Sequence, residues 1–201
     1  MAHISNRQYE LIETAGKLLS RSGVGGLTIK NLAREMGFAE SAVYRHFDSK
    51  EAIVVAMLDY LAGNMDKRLS EAFSRTMNPI ENLEAIFLSH LTFFTQNPHF
   101  VVAVFSSGLL EESQQINQGI LKLMEVMKNH VTPLIMDGQK QGMITTDVPA
   151  EDLTHILMGS FRLHMFKWRV SRFQFDVSQS GKTMIANLLK IIQPCKNQIQ
   201  V

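Results

Sequence analysis

Cysteine and long apolar segments are what this 201-residue chain has least of. Its one cysteine, Cys195, excludes a disulfide framework within the chain and fits a reducing compartment. No apolar run reaches the roughly 18 residues of a membrane span. The first ten residues lack the apolar core of a secretion signal. The sequence therefore predicts a cytoplasmic protein with no membrane partner.

An excess of positive charge is also missing. The chain has 20 Lys and Arg against 19 Asp and Glu, and the first 60 residues hold seven of each sign. This is not the bulk composition of a nucleic-acid-binding protein. Any binding to phosphates must come from the local placement of basic side chains.

Recognisable catalytic and metal-binding patterns are absent as well. The chain has no glycine-rich phosphate loop, no His-x-x-x-His, no Cys-x-x-Cys and no Gly-x-Ser-x-Gly. We therefore predict no catalytic residue, no metal site, no cofactor and no enzymatic activity.

Residues 28–51, TIKNLAREMGFAESAVYRHFDSKE, carry the main positive signal. Four apolar residues from Ile29 to Met36 recur at i, i+3, i+4 and i+7, which is the spacing of one apolar helix face. Thr28 can cap this helix, and Gly37 can end it in the left-handed conformation. A second short helix after the glycine makes the pattern typical of a helix-turn-helix, whose second helix reads DNA.

The second helix of this segment has an inward side and a polar side. Val43 and Phe47 point inward at i, i+4, and Ser41 is the predicted cap. The polar side carries residue types that contact phosphates, namely Tyr44, Arg45, His46 and, one turn later, Lys50. The alternative is an ordinary helical hairpin, but a buried hairpin gains nothing from showing these four side chains together.

At these residues the chain resembles a known family. Residues 7–60 are similar to the N-terminal DNA-binding domain of the tetracycline-repressor (TetR/AcrR) family of transcriptional regulators. The similar positions are Ala15, Leu19, Gly23, Leu27, Thr28, Leu32, Ala33, Gly37, Tyr44, Arg45, His46, Phe47, Lys50 and Glu51. The resemblance implies a helix-turn-helix domain over residues 1–48 and a helical ligand-binding and dimerisation domain over 49–201. A helix that starts at the capping sequence Asp48–Glu51 is predicted to connect them.

The resemblance also implies which side chains meet DNA. Thr28, Tyr44, His46 and Lys50 match positions that hold phosphates, and the positions that face the bases are Lys30, Glu40, Ser41, Ala42 and Arg45. Glu40 departs from the neutral polar residues often found at its position. An acid is repelled by phosphates there unless it accepts a hydrogen bond from a cytosine amine.

Helix signals continue through the whole chain, so the predicted fold class is all-α. The first helix is predicted from about Ser5 to Ser22. A later helix is predicted to start at Asn78. Four more are predicted from Asn97 to about Ser107, from about Glu111 to Gln141, from Asp147 to about Arg169, and from Ser178 to Pro194. Pro133 predicts a kink or a break near His130 in the long helix that begins at about Glu111.

The middle of the chain is rich in Phe and Met, which are adaptable liners of apolar pockets. For any single one of these residues, an ordinary core position is the simpler interpretation. The family resemblance implies a ligand cavity in this region. The candidate lining residues are His90, Phe94, His99, Phe105, Met124, Met127, Phe161, His164 and Met165.

The last two helices carry apolar residues on more than one side. Burial within one chain is one explanation, and the family layout implies another, in which both helices pair with their copies across a two-fold axis. The predicted interface residues are Leu153, Leu157, Ile185, Leu188 and Ile192. A homodimer suits DNA recognition because two half-sites are far more selective than one.

Together these observations predict a homodimeric repressor that binds a palindromic double-stranded operator. A small, mostly apolar effector of unknown identity is expected to release it. Two alternatives stay open. One is a DNA-binding regulator that is controlled by a protein partner, and the other is an all-α enzyme or carrier with a fortuitous helical hairpin.

Overall fold

The computed structural model describes residues 4–105 and 113–195. Within these ranges the chain forms nine helices and no strand, which confirms the predicted all-α class. The helices are α1 (Asn6–Gly26), α2 (Ile29–Met36), α3 (Glu40–Tyr44), α4 (Lys50–Ala72), α5 (Pro79–Gln96), α6 (Pro98–Phe105), α7 (Gln114–Lys140), α8 (Ala150–Val170) and α9 (Val177–Ile191).

Contacts divide the described chain into two compact units. Unit 1 contains the residues up to Met65 together with 96–125, and unit 2 contains 66–95 and the residues from Val126 onward. The predicted boundary after residue 48 falls inside unit 1. Helices α4 and α7 each contribute residues to both units.

Unit 1 is built around α1, whose N-terminus is a capping box. Ser5 accepts a hydrogen bond from the Gln8 backbone N–H, and the Gln8 side chain accepts one from the Ser5 backbone N–H. Helix α6 packs on α1, where Gly16 permits the close approach. A Cβ at Gly16 would lie 2.9 Å from the His99 ring. The buried side chains of this unit include Leu11, Leu19, Leu32, Val43 and Phe100.

Unit 2 holds α5, α8, α9 and the C-terminal part of α7. The predicted start of α5 is confirmed, because Asn78 and Glu81 each accept a hydrogen bond from the other's backbone N–H, at 3.0 and 2.8 Å. The loop before α5 is fixed by Asn82, a buried amide that bonds to Ser74 N–H, Ser74 C=O and Met77 C=O. With all three bonds made, this polar group is buried at little cost.

Several predicted helix limits differ from the structure. Helix α7 continues through Pro133, so of the predicted kink or break the break does not occur. Asp176 caps α9 in place of Ser178, because its carboxylate accepts from the Gln179 N–H at 2.9 Å. The helix limits predicted near Ser107 and Glu111 lie outside the described residues.

The residues predicted at a dimer interface lie in unit 2. Leu153, Leu157, Ile185 and Ile192 are at most 3% exposed and belong to the core of unit 2, and Leu188 is half-buried. Their helical spacing is the same for a core stripe as for an interface stripe, so periodicity could not separate the two. Among the described residues no helix is long and apolar enough to cross a membrane.

Candidate nucleic-acid interface

Helix α2 is set up by the two residues that flank it. The Thr28 hydroxyl accepts a hydrogen bond from the Asn31 backbone N–H at 3.1 Å, as an N-cap does. At the other end Gly37 has φ +68°, and the Phe38 N–H reaches the Ala33 carbonyl at 2.8 Å. A side chain rarely adopts this left-handed conformation, so glycine permits the tight turn into α3.

Helix α3 starts two residues earlier than predicted. Its N-cap is Ala39, which has no side-chain acceptor, and Ser41 lies inside the helix instead of capping it. Val43 and Phe47 are buried, which confirms their inward direction. Arg45 is the C-cap of α3. Its φ and ψ are still helical (−67° and −18°), so its side chain continues the outer face of α3.

All nine side chains predicted to meet DNA are at least partly accessible in unit 1. Thr28, Lys30, Glu40, Ser41, Tyr44 and Arg45 are exposed, whereas Ala42, His46 and Lys50 are half-buried. Lys50 is the first residue of α4, whose N-terminus is capped by the Ser49 hydroxyl accepting from the Ala52 N–H at 3.0 Å. Their roles at DNA stay predictions.

A further arginine on this surface was missed by the sequence reasoning. Arg34 lies four residues after Lys30 and shares the exposed face of α2 with it. Its guanidinium donates to Asn31 Oδ1 at 3.2 Å, and the Asn31 amide donates in turn to the Gly26 carbonyl at 2.9 Å. Asn31 therefore restricts where Arg34 can point. The i, i+4 spacing of the two basic residues was the signal available in the sequence.

One nearby acid is neutralised within the chain. Glu35 accepts a hydrogen bond from Arg21 at 2.6 Å, and this bond is the main reason that the pKa of Glu35 lies below its ordinary value. Glu40 has no ion pair among the described residues. The first 60 residues have equal numbers of basic and acidic residues. Lys30, Arg34 and Arg45 are nevertheless exposed to solvent on this surface, and the charge of Glu35 is compensated by Arg21.

The nine residues predicted to line a ligand cavity do not share one unit. His99, Phe105 and Met124 belong to unit 1, where Met124 is exposed on α7 and the His99 ring lies 3.5 Å from Glu13 of α1. Burial lowers the pKa of His99. The other six belong to unit 2: His90, Phe94, Met127, Phe161, His164 and Met165.

Three of the unit 2 residues form an aromatic cluster. The His90 ring lies 4.8 Å from Phe94 and 5.0 Å from Phe161, and Phe161 lies 5.8 Å from Phe87. His164 contacts α9 instead, since its Nε2 lies 3.1 Å from the Ser180 hydroxyl. Burial lowers the pKa of His164.

A crevice runs beside this cluster. It has an empty volume of about 190 Å³ but is too narrow to admit a water molecule. Its walls are apolar and consist of Phe87, Leu157, Phe161, Met184, Ile185, Leu188 and Leu189. Three predicted interface residues, Leu157, Ile185 and Leu188, thus line this crevice together with one predicted ligand residue, Phe161. No group of three or more His, Cys, Asp or Glu in the described parts of the chain could hold a metal ion.

The capped α2, the glycine turn and the accessible polar face of α3 define a helix-turn-helix DNA-binding protein. Comparison with family models agrees. Residues 11–57 match the model for bacterial regulatory proteins of the tetR family, and residues 60–191 match the model for the C-terminal region of YsiA-like proteins. The chain belongs to the TetR family of DNA-binding transcriptional regulators. The family is described as one of bacterial regulatory proteins.

Similar sequences include the nucleoid occlusion factor SlmA of Vibrio cholerae, which is 22% identical over 85% of this chain and 87% of SlmA. The HTH-type regulator YerO of Bacillus subtilis is 25% identical over 77% of this chain and 56% of YerO.

Solved structures share the fold. The regulator FadR of Bacillus subtilis, in complex with stearoyl-CoA, has a TM-score of 0.80 at 15% identity over 90% of this chain and 97% of its own. The ketosteroid regulator KstR2 of Mycobacterium tuberculosis has a TM-score of 0.77 at 19% identity over 96% and 97%.

Proposed function

We propose that this chain is a homodimeric repressor that binds a palindromic operator in the cytoplasm and leaves it when a small, mostly apolar molecule binds unit 2. The observation that carries the proposal is a complete helix-turn-helix joined to a unit with an apolar aromatic cluster. The relatives support control by an apolar molecule, because FadR was solved with stearoyl-CoA and KstR2 is named for ketosteroids.

On DNA, two groups of side chains act differently. Thr28, Tyr44, His46 and Lys50 hold phosphates, whereas Lys30, Glu40, Ser41, Ala42 and Arg45 face the bases. Arg34 belongs with the residues that hold phosphates, because Asn31 holds its guanidinium on the exposed side of α2. A guanidinium that is already positioned loses less side-chain entropy when it meets a phosphate.

The dimer forms through a different stripe from the one predicted. Ile156, Leu163, Phe166 and Val170 are exposed on α8 at a spacing of i, i+7, i+10 and i+14, which is one helix face. Helix α9 adds the exposed Ile191. A long apolar stripe on one helix is the kind of surface that a two-fold interface covers, because the same patch then serves both copies.

The effector acts through α4, which contributes Asp66–Ala72 to unit 2 and its earlier residues to unit 1. A ligand in unit 2 favours the dimer shape that fits it, and a shift in α4 changes the spacing of the two copies of α3. Tight binding needs that spacing near one DNA turn, roughly 34–36 Å. The ligand works only through its different affinities for the two shapes.

Selection of bound duplexes from a random pool, with and without a protein-free metabolite extract, tests this function. We expect palindromic sequences whose recovery falls with the extract. Lys30→Ala should weaken binding to the selected duplex, whereas Lys182→Ala removes the same charge from α9 and should not. Recovery of random sequences only, or equal loss in both variants, would contradict the proposal.

A protein-controlled regulator is the second candidate function. Two observations favour it: the crevice in unit 2 admits no water, and α7 exposes the apolar Leu121 and Met124. Operator release by the protein fraction of a lysate, but not by its small molecules, would support this alternative.

A further inference from the structure

His90 of α5 carries a polar atom whose hydrogen bond is missing. Its Nδ1 is fully buried and has no partner among the described residues. An unsatisfied buried polar atom costs about 1–3 kcal/mol, so such atoms are rare in folded proteins. A leucine or phenylalanine at this position would avoid the cost. A ligand that offers a donor or an acceptor to His90 Nδ1 would remove this cost.

The surroundings of His90 in unit 2 are aromatic on two sides. Phe94 presents its edge at 4.8 Å, and the Phe161 ring of α8 lies at 5.0 Å. Phe161 also forms part of the wall of the 190 Å³ crevice, with Phe87 beside it at 5.8 Å. Phe161 is therefore the residue that the surroundings of the imidazole and the wall of the crevice share.

The charge state of His90 narrows the chemistry of a partner. Burial, and after it the positive charge of Arg68, lower the pKa of His90 to about 3, so the ring is neutral at physiological pH. The Arg68 guanidinium is engaged, since it donates to the Ser89 carbonyl at 3.2 Å and lies 4.2 Å from the Phe93 ring centre. A neutral imidazole offers one donor and one acceptor nitrogen. A hydroxyl group can serve either nitrogen.

We propose that His90 anchors a neutral, ring-sized apolar effector through a single hydroxyl group, an alcohol or a phenol, while the rings of Phe94 and Phe161 enclose its apolar body. This inference rests on the proposed ligand-responsive function and names the chemistry of the ligand. An ammonium ligand is disfavoured by Arg68. A carboxylate would be buried among aromatic rings without a free cation to pair with, which is costly.

Three probes of the same ring system test the anchor: 2-naphthol, naphthalene and 2-naphthoate, each measured by equilibrium dialysis against the full-length protein. The wild type should bind 2-naphthol at least about tenfold more tightly than naphthalene, since one hydrogen bond of about 1.4 kcal/mol is a factor of ten. 2-Naphthoate should bind more weakly than 2-naphthol.

The matched variants are His90→Phe and His164→Phe. In His90→Phe, the ratio of the naphthalene and 2-naphthol dissociation constants should be close to one. The melting temperature should stay the same or rise, because the substitution removes an unsatisfied polar atom. His164→Phe should leave the preference unchanged, since His164 already has Ser180 as its partner. His90→Leu gives the same comparison if the phenylalanine variant does not fold.

Equal binding of 2-naphthol and naphthalene, a preference that survives in His90→Phe, tighter binding of 2-naphthoate, or no binding of any probe would each overturn the inference. The operator assay is a separate readout. If 2-naphthol binds with the predicted His90 dependence but never changes operator affinity, the proposed effector control is wrong and the anchor stands.

Discussion

We predict that a charge at Leu163 separates the proposed dimer into single chains. Leu163 lies in the middle of the exposed stripe on α8 and is 67% exposed in the single chain. Complete burial of a leucine side chain stabilises by about 1.5–3 kcal/mol. Covering two thirds of it is therefore worth roughly 1–2 kcal/mol in each copy.

A two-fold interface contains the residue twice, so Leu163→Glu should cost roughly 2–4 kcal/mol of association free energy. This corresponds to a dimer dissociation constant that is about 30 to 1,000 times larger. The figure is a lower estimate, because the carboxylates would also lose water on entering an apolar interface.

Sedimentation over a concentration series measures the dissociation constant directly. Leu121→Glu is the matched control, because Leu121 of α7 is 62% exposed and receives the same charge outside the proposed stripe. We expect Leu163→Glu to become monomeric at concentrations where the wild type and Leu121→Glu are dimers. Unchanged association of Leu163→Glu, or equal dissociation of both variants, would refute the proposed stripe.

Three further predictions concern DNA contacts and acid stability. Arg45→Ala should relax the preference at one position of each half-site, at a cost of about 1–3 kcal/mol there, and uniform loss over all sequences would make Arg45 a phosphate contact instead. Lys50→Ala should weaken binding to all duplexes alike and reduce the salt slope by about one; an unaltered slope would show that Lys50 does not meet a phosphate. Because the pKa of His90 is lowered from 6.5 to about 3, the unfolded chain takes up this proton first, and stability should fall as the pH drops below 6.5. The loss from this group should reach up to about 2 kcal/mol at pH 5, and denaturant titrations should show a smaller loss in His90→Phe.

The helix-turn-helix could be predicted because its determinants are local. Thr28, Gly37 and the inward pair Val43 and Phe47 act within a few residues of their own positions, and the structure confirms all four. The start of α3 was misplaced because Ala39 caps it without a side-chain hydrogen bond, and so left no signal in the sequence.

The sequence alone could not show which residues of α8 are accessible to a second chain, because α8 has two apolar faces. Leu157 and Leu163 fit a helical stripe equally well, yet the first is buried in unit 2 and the second is exposed. Which face meets the chain's own core depends on contacts between helices that are distant in sequence. Local patterns likewise could not show that Met124 and His90 belong to different compact units.

The number of chains on one operator tests the central proposal most directly. A selected palindromic duplex and the same duplex with one half-site scrambled would each be titrated with protein, and the mass of the complexes measured by sedimentation. We predict two chains on the palindrome and binding to the scrambled duplex that is weaker by at least tenfold. One chain per duplex, with equal affinity for both, would contradict a dimeric repressor that reads two half-sites.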